Sequence, residues 1–95
     1  MNQIKFNINF EHRYDIYSSS ITVYTNNFQI MNTLKNKFGF DYTVIVNGVY
    51  SSCISLGSNV DWNDLLETTH YFVINCVAYL RENYKPMSFS ETYEV

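Results

Sequence analysis

The run Asp61-Trp-Asn-Asp-Leu-Leu-Glu-Thr-Thr-His-Tyr-Phe-Val-Ile-Asn-Cys-Val-Ala-Tyr-Leu-Arg-Glu-Asn-Tyr84 decides the class of fold, because its apolar residues recur at helical spacing. Trp62, Leu65, Thr69, Phe72, Val73, Cys76, Leu80 and Tyr84 share one stripe, which is enough to bury the helix. Asp61 stands where a side-chain oxygen can accept from first-turn amides, with Asp64 three residues on, and Pro86 cannot continue the helix. Leu66, Tyr71, Ile74, Val77 and Tyr79 fall beside or opposite the stripe. A helix that is apolar on two sides needs a second cover: the sheet, a second copy or another protein.

Working outward, Tyr42-Thr-Val-Ile-Val46, Asn47-Gly48 and Val49-Tyr-Ser-Ser-Cys-Ile54 spell a hairpin with a two-residue turn. Such turns need positive φ at both central residues, which Asn-Gly adopts cheaply. The register then sets Val46 against Val49, Ile45 against Tyr50, Val44 against Ser51 and Tyr42 against Cys53. Both faces carry apolar groups, so the hairpin is expected in the middle of a sheet rather than at a free edge.

Ile4, Phe6, Ile8 and Phe10 alternate with polar residues, the period of a half-buried strand. Residues 12–20 read as a continuation of that strand or as a loop, and Ile21–Thr25 as a second strand. Asn26 or Asn27 can cap a short helix whose Met31, Leu34 and Phe38 share a face and which Gly39 ends. Gly57-Ser58 is read as the connection into the long helix. Phe89, Glu91, Tyr93 and Val95 alternate as a last strand. The expectation is a single α+β domain over residues 1–95: an antiparallel sheet of four to five strands with one short and one long helix on one face, in ferredoxin-like βαββαβ order plus an extra N-terminal strand. The alternative is a ββα unit used twice, with residues 89–95 a loose tail.

Composition narrows the function classes. Charged residues are only 16% while aromatics reach 18%, with Tyr 9 and Phe 7, so much of the polar surface is Asn, Ser, Thr and Tyr. Surfaces of that kind suit adaptable protein contacts. A net charge of -3 and a pI near 5.1 disfavour nucleic acid held by phosphate contacts. A single-strand binder would stack bases on Tyr24, Tyr42 or Tyr50, but the strands offer those rings few cations. The sequence shows neither a secretory signal nor a membrane-length apolar run, so the expected location is the cytoplasm. Lys35, Lys37, Arg81 and Lys85 near helix ends, and Asp61, Asp64 and Glu67 at a helix start, match the macrodipole.

The chemistry-bearing residues form no motif. Cys53 and Cys76 read as reduced, buried packing residues, and pairing Cys53 with His70 or His12 identifies no nucleophile. No spacing suits a metal or a phosphate, so the expectation is a non-enzyme with no catalytic residue, metal or cofactor. The Asn, Ile, Tyr and Phe bias suggests an AT-rich genome. In its small size, acidity and lack of a catalytic motif the chain resembles the small inhibitors that mobile elements encode, anti-CRISPR proteins among them. That resemblance implies a phage-encoded inhibitor binding a host defence or nucleic-acid enzyme in the host cytoplasm. The contact residues expected are Tyr71, Asn75, Tyr79 and Glu82 on the second side of the long helix, with Tyr14 and Tyr17. A homodimer through the same helix is the rival arrangement.

Overall fold

The computed structural model describes residues 2–85 and 87–94. In chain order these form β1 (Asn2–Arg13), β2 (Ile16–Thr25), α1 (Phe28–Phe38), β3 (Asp41–Val46), β4 (Val49–Asn59), α2 (Trp62–Asn83) and β5 (Met87–Glu94). The five strands make one sheet in the order β3-β4-β2-β1-β5. Three of its four pairings are antiparallel, and β1 pairs with β5 in parallel, so the sheet is mixed. This corrects the fully antiparallel expectation. In a ferredoxin-like order β5 would lie directly against β2, whereas here the N-terminal hairpin places β1 between them. β5 keeps its direction, opposite to β2, and therefore runs parallel to the strand that displaced it.

The core follows from alternation. Ile4, Phe6, Ile8 and Phe10 of β1 are buried, and they pair across to Thr25, Val23, Ile21 and Ser19 of β2, which are buried too. Ile30, Met31 and Leu34 of α1 and Leu65, Val73, Cys76, Val77 and Leu80 of α2 close over this face. The intervening residues, Lys5, Asn7 and Asn9 on β1 and Ser18, Ser20, Thr22 and Tyr24 on β2, occupy the open side of the sheet.

Local signals act where they were read. Asn27 Oδ1 accepts from the amides of Gln29 and Ile30 at 2.8 and 3.2 Å, and Gly39 ends α1 at φ 85°. Asp61 Oδ1 accepts from Asn63 and Asp64 at 2.9 and 3.2 Å. Pro86, expected to stop α2, and Val95, the last residue of the alternation, lie outside the described residues. Asn47 and Gly48 both take positive φ, and Val46 faces Val49 as the turn requires.

Three local expectations are corrected, and one open alternative is decided. The β3–β4 hairpin is not central, because β3 is an edge strand, and its two apolar faces leave Val44, Ile45 and Val46 exposed. Tyr42 does not face Cys53: it adopts φ 58°, a bulge intervenes, and Asp41 takes that place, its carbonyl accepting from the Ser52 hydroxyl. Gly57 and Ser58 belong to β4 rather than to a loop. The register slips there, with two residues of β4 opposite Ser19, and Gly57 takes the positive φ of 92°. Residues 12–20 are strand apart from a tight turn at Tyr14 and Asp15, both at positive φ. No glycine marks that turn, which is why the sequence left it open between strand and loop.

Candidate docking surface

Topology gathers the carboxylates. The far ends of β1, β4 and β5, the start of β2 and the first turns of α2 all lie in the same half of the molecule, as the pairings Arg13–Ile16, Tyr17–Asn59 and Asn9–Glu94 show. That half holds Glu11, Asp15, Asp61, Asp64, Glu67 and Glu94, and Glu91, which pairs with Phe6 nearer the middle of the sheet, lines the groove beside it, so seven of the nine acidic residues of the chain lie in or next to this half. The described residues of this half supply one fixed cation, Arg13. Among the described residues none of the seven carboxylates is held in an ion pair. The opposite half holds Lys5, Arg81 and Lys85 with Glu82. The molecule is therefore electrically lopsided, and its negative field leaves from one end.

Aromatic side chains stand among these carboxylates. Tyr14, at the tip of the β1–β2 turn, is 89% exposed. Tyr17 stacks on His12 with ring centroids 4.3 Å apart and leans on Trp62 at 5.3 Å, while Trp62 sets its edge against Phe10 at 4.8 Å. Phe10, Glu11, His12, Tyr17 and Trp62 line a shallow hollow of about 330 Å³. Beside it, between α2 and β5, runs a groove of about 490 Å³ walled by Asn63, Leu66, Glu67, His70, Glu91 and Tyr93. The Tyr93 hydroxyl donates to Glu91 Oε2 at 2.9 Å and lies 3.2 Å from His70 Nδ1. Partial burial pushes the Tyr93 phenol up to about 12, with the hydrogen bond to Glu91 and its negative charge acting the same way. An apolar floor rimmed by two carboxylates suits a side chain with an apolar stem and a cationic head, that is Lys or Arg.

The six expected contact residues do not converge on one patch. Tyr14 and Tyr17 lie in the acid-rich half. Tyr71 and Asn75 are exposed on the outer side of α2, and Glu82 is exposed near its other end. Tyr79 is half-buried against Phe38 at 5.9 Å, and the Lys37 ammonium covers its ring at 4.5 Å. Likewise Arg81 covers Phe89 at 4.6 Å. Among the described residues no cation lies over Tyr14, Tyr17 or Trp62. The surplus flank of α2 divides: Val77 is buried, while Leu66, in the groove, and Ile74, farther along α2 beside Phe89, remain exposed.

Sequence reading missed Glu11, Trp62, Glu67, Glu91 and Tyr93 as neighbours. They come from three elements, β1, α2 and β5, and only the pairing of β1 with β5 under α2 brings them together. Tyr24 points to the open side of the sheet with Lys5 5.9 Å from its ring, whereas Tyr50 lies on the covered side against Phe28, so these rings make no common stacking platform. Cys76 is buried, which pushes its thiol up to about 12, and Cys53, expected to be buried, is exposed on the open side opposite Thr22. Among the described residues there is no group of three ligating side chains able to hold a metal ion, and no helix is long and apolar enough to cross a membrane. The chain matches no family, no curated protein and no solved structure.

Proposed function

We propose that this chain is a non-enzymatic protein-binding module that sets its acid-rich, aromatic half against a basic surface of another protein. The observation that carries the reading is the gathering of seven carboxylates around exposed or half-exposed Tyr14, Tyr17, Trp62 and Tyr93, with none of the seven in an ion pair among the described residues. Carboxylates steer a basic partner and set its orientation, and aromatic rings supply contact area and cation–π attraction once the surfaces meet. Basic surfaces of this kind are what enzymes present to nucleic acid. The proposal therefore extends to an inhibitor encoded by a phage or other mobile element, occupying the nucleic-acid face of a host defence or nucleic-acid enzyme in the host cytoplasm. Tyr71 and Asn75 on the adjoining side of α2 extend the contact. Tyr79, already covered by Lys37, contributes less.

Parallel affinity captures from host lysate test this, one with the native chain and one with the Glu11→Lys, Asp15→Lys and Glu67→Lys triple variant, whose altered side chains are all exposed. The native chain should retain a protein carrying a basic groove, the triple variant should lose it, and Glu82→Lys in the other half should keep it. Tyr14→Ala and Tyr71→Ala should each weaken a purified complex by about 1 to 3 kcal/mol, as buried aromatic anchors do. Equal capture by native and triple variant would refute the reading. So would tight, steeply salt-dependent binding of labelled single-stranded DNA or RNA to the free chain.

A further inference from the structure

The outer edge of β3 is built as sheet edges ordinarily are not. Thr43-Val44-Ile45-Val46 is β-branched throughout, and Val44, Ile45 and Val46 are 54%, 61% and 60% exposed. Natural edges are blunted by an inward charge, a proline, a bulge or a covering element. Here the bulge and the single charge, Asp41, sit at the start of the strand, and the four residues before the turn are unguarded. Across a two-residue turn the flanking residues, Val46 and Val49, exchange hydrogen bonds. The amide and carbonyl of Ile45 therefore point away from β4, toward the open edge.

The rest of the sheet indicates what form of occupant fits. β2 and β4 are antiparallel neighbours at its centre, each preceded by its hairpin partner and followed by a helix. β1 and β3 thus hold equivalent outer places. β5 lies along the outer edge of β1, and among the described residues no strand lies along that of β3.

We infer that β3 of a second copy occupies this edge, the two strands pairing antiparallel so that two five-stranded sheets continue as one. Antiparallel self-pairing is two-fold and closes on itself. It sets Ile45 beside its counterpart on the helix-covered face, and it brings Val44, Val46 and Val49 of both copies into one apolar cluster on the open face. Charge favours the same direction: β3 lies level with Ile4–Asn7 of β1, away from the carboxylates, so antiparallel pairing carries the acid-rich halves of the two copies to opposite ends of the joined sheet. Parallel pairing would set like beside like. Tyr42, 83% exposed, adds its ring. Ten apolar side chains and two strand backbones come to the order of the roughly 1,000 Å² that a specific interface has to exceed.

Sedimentation velocity of the whole chain across the micromolar range tests the inference, read together with amide hydrogen exchange. The native chain should pass from monomer to dimer as concentration rises, and the Ile45 amide should gain protection in step. Ile45→Lys, a charge of the kind natural edges use, should weaken dimerisation at least tenfold while leaving the melting temperature unchanged. A chain that stays monomeric throughout overturns the inference. So does a dimer indifferent to Ile45→Lys whose Ile45 amide exchanges at a rate independent of concentration, the outcome expected of an interface on α2. Because β3 lies apart from the acid-rich half, Ile45→Lys should retain any lysate partner, and the triple variant above should still dimerise, so either proposal can fail alone.

Discussion

Replacing Thr69 by Val is the sharpest test of how α2 is seated on the sheet. Thr69 is fully buried in the second turn of α2, and Ser19 of β2 is buried opposite it. Their hydroxyl oxygens are 2.8 Å apart, and Thr69 Oγ1 also donates to the Leu65 carbonyl at 2.8 Å. A threonine hydroxyl has one proton, so with that proton on Leu65 the bond between the hydroxyls must be donated by Ser19. Thr69→Val keeps the shape of the side chain but leaves the Ser19 hydroxyl buried without its acceptor, which costs roughly 1 to 3 kcal/mol. Ser19→Ala removes only an incoming proton, since Thr69 keeps its bond to Leu65, and should cost about 1 kcal/mol or less. With both changes made, no hydroxyl is stranded, and the double variant should be more stable than Thr69→Val alone. At about 4 to 8 °C per kcal/mol for a domain of this size, the single change lowers the melting temperature by about 5 to 20 °C. Thermal denaturation of the four proteins gives the double-mutant cycle. An unchanged melting temperature for Thr69→Val, or strictly additive effects, would refute this seating of the helix.

The two hairpin turns make opposite predictions. Gly48→Val should destabilise by more than about 1 kcal/mol, because Gly48 sits at φ 78° and a β-branched residue resists that conformation even though nothing stands within 4 Å of an added Cβ. A denaturation midpoint equal to that of the native chain would contradict it. Tyr14→Asn combined with Asp15→Gly should stabilise by about 1 kcal/mol, since both native residues hold positive φ without glycine; a loss of stability would show that the turn is not strained as described. The Tyr93 phenol is raised from 10.0 to about 12, so the folded state holds its proton more tightly. Its contribution is therefore complete up to about pH 10 and is lost as pH rises toward 12. Glu91→Gln removes the charge and leaves only a weaker, neutral acceptor for the Tyr93 hydroxyl, and should lower that value. Ultraviolet difference titration against Tyr93→Phe reads the change, and no movement would mean that burial acts alone.

Much of this architecture is written locally. The period of Ile4, Phe6, Ile8 and Phe10, the caps Asn27 and Asp61, the stop at Gly39 and the turn at Asn47-Gly48 each depend on bonds or spacings within a few residues, and the sequence by itself determined them. It also determined that Leu65, Thr69, Val73, Cys76 and Leu80 would be the buried line of α2. Tertiary structure alone decided that β1 would lie between β2 and β5, that β3 would be an edge, and that seven carboxylates would gather in or next to one half. Alternation states which face of a strand is buried but is silent on the neighbour each edge will find, because that neighbour is tens of residues away and pairs through backbone groups every residue carries. Thr43-Val44-Ile45-Val46 reads as a central strand for that reason: apolar residues on both faces have the same pattern whether helices and strands cover them or the chain leaves them bare.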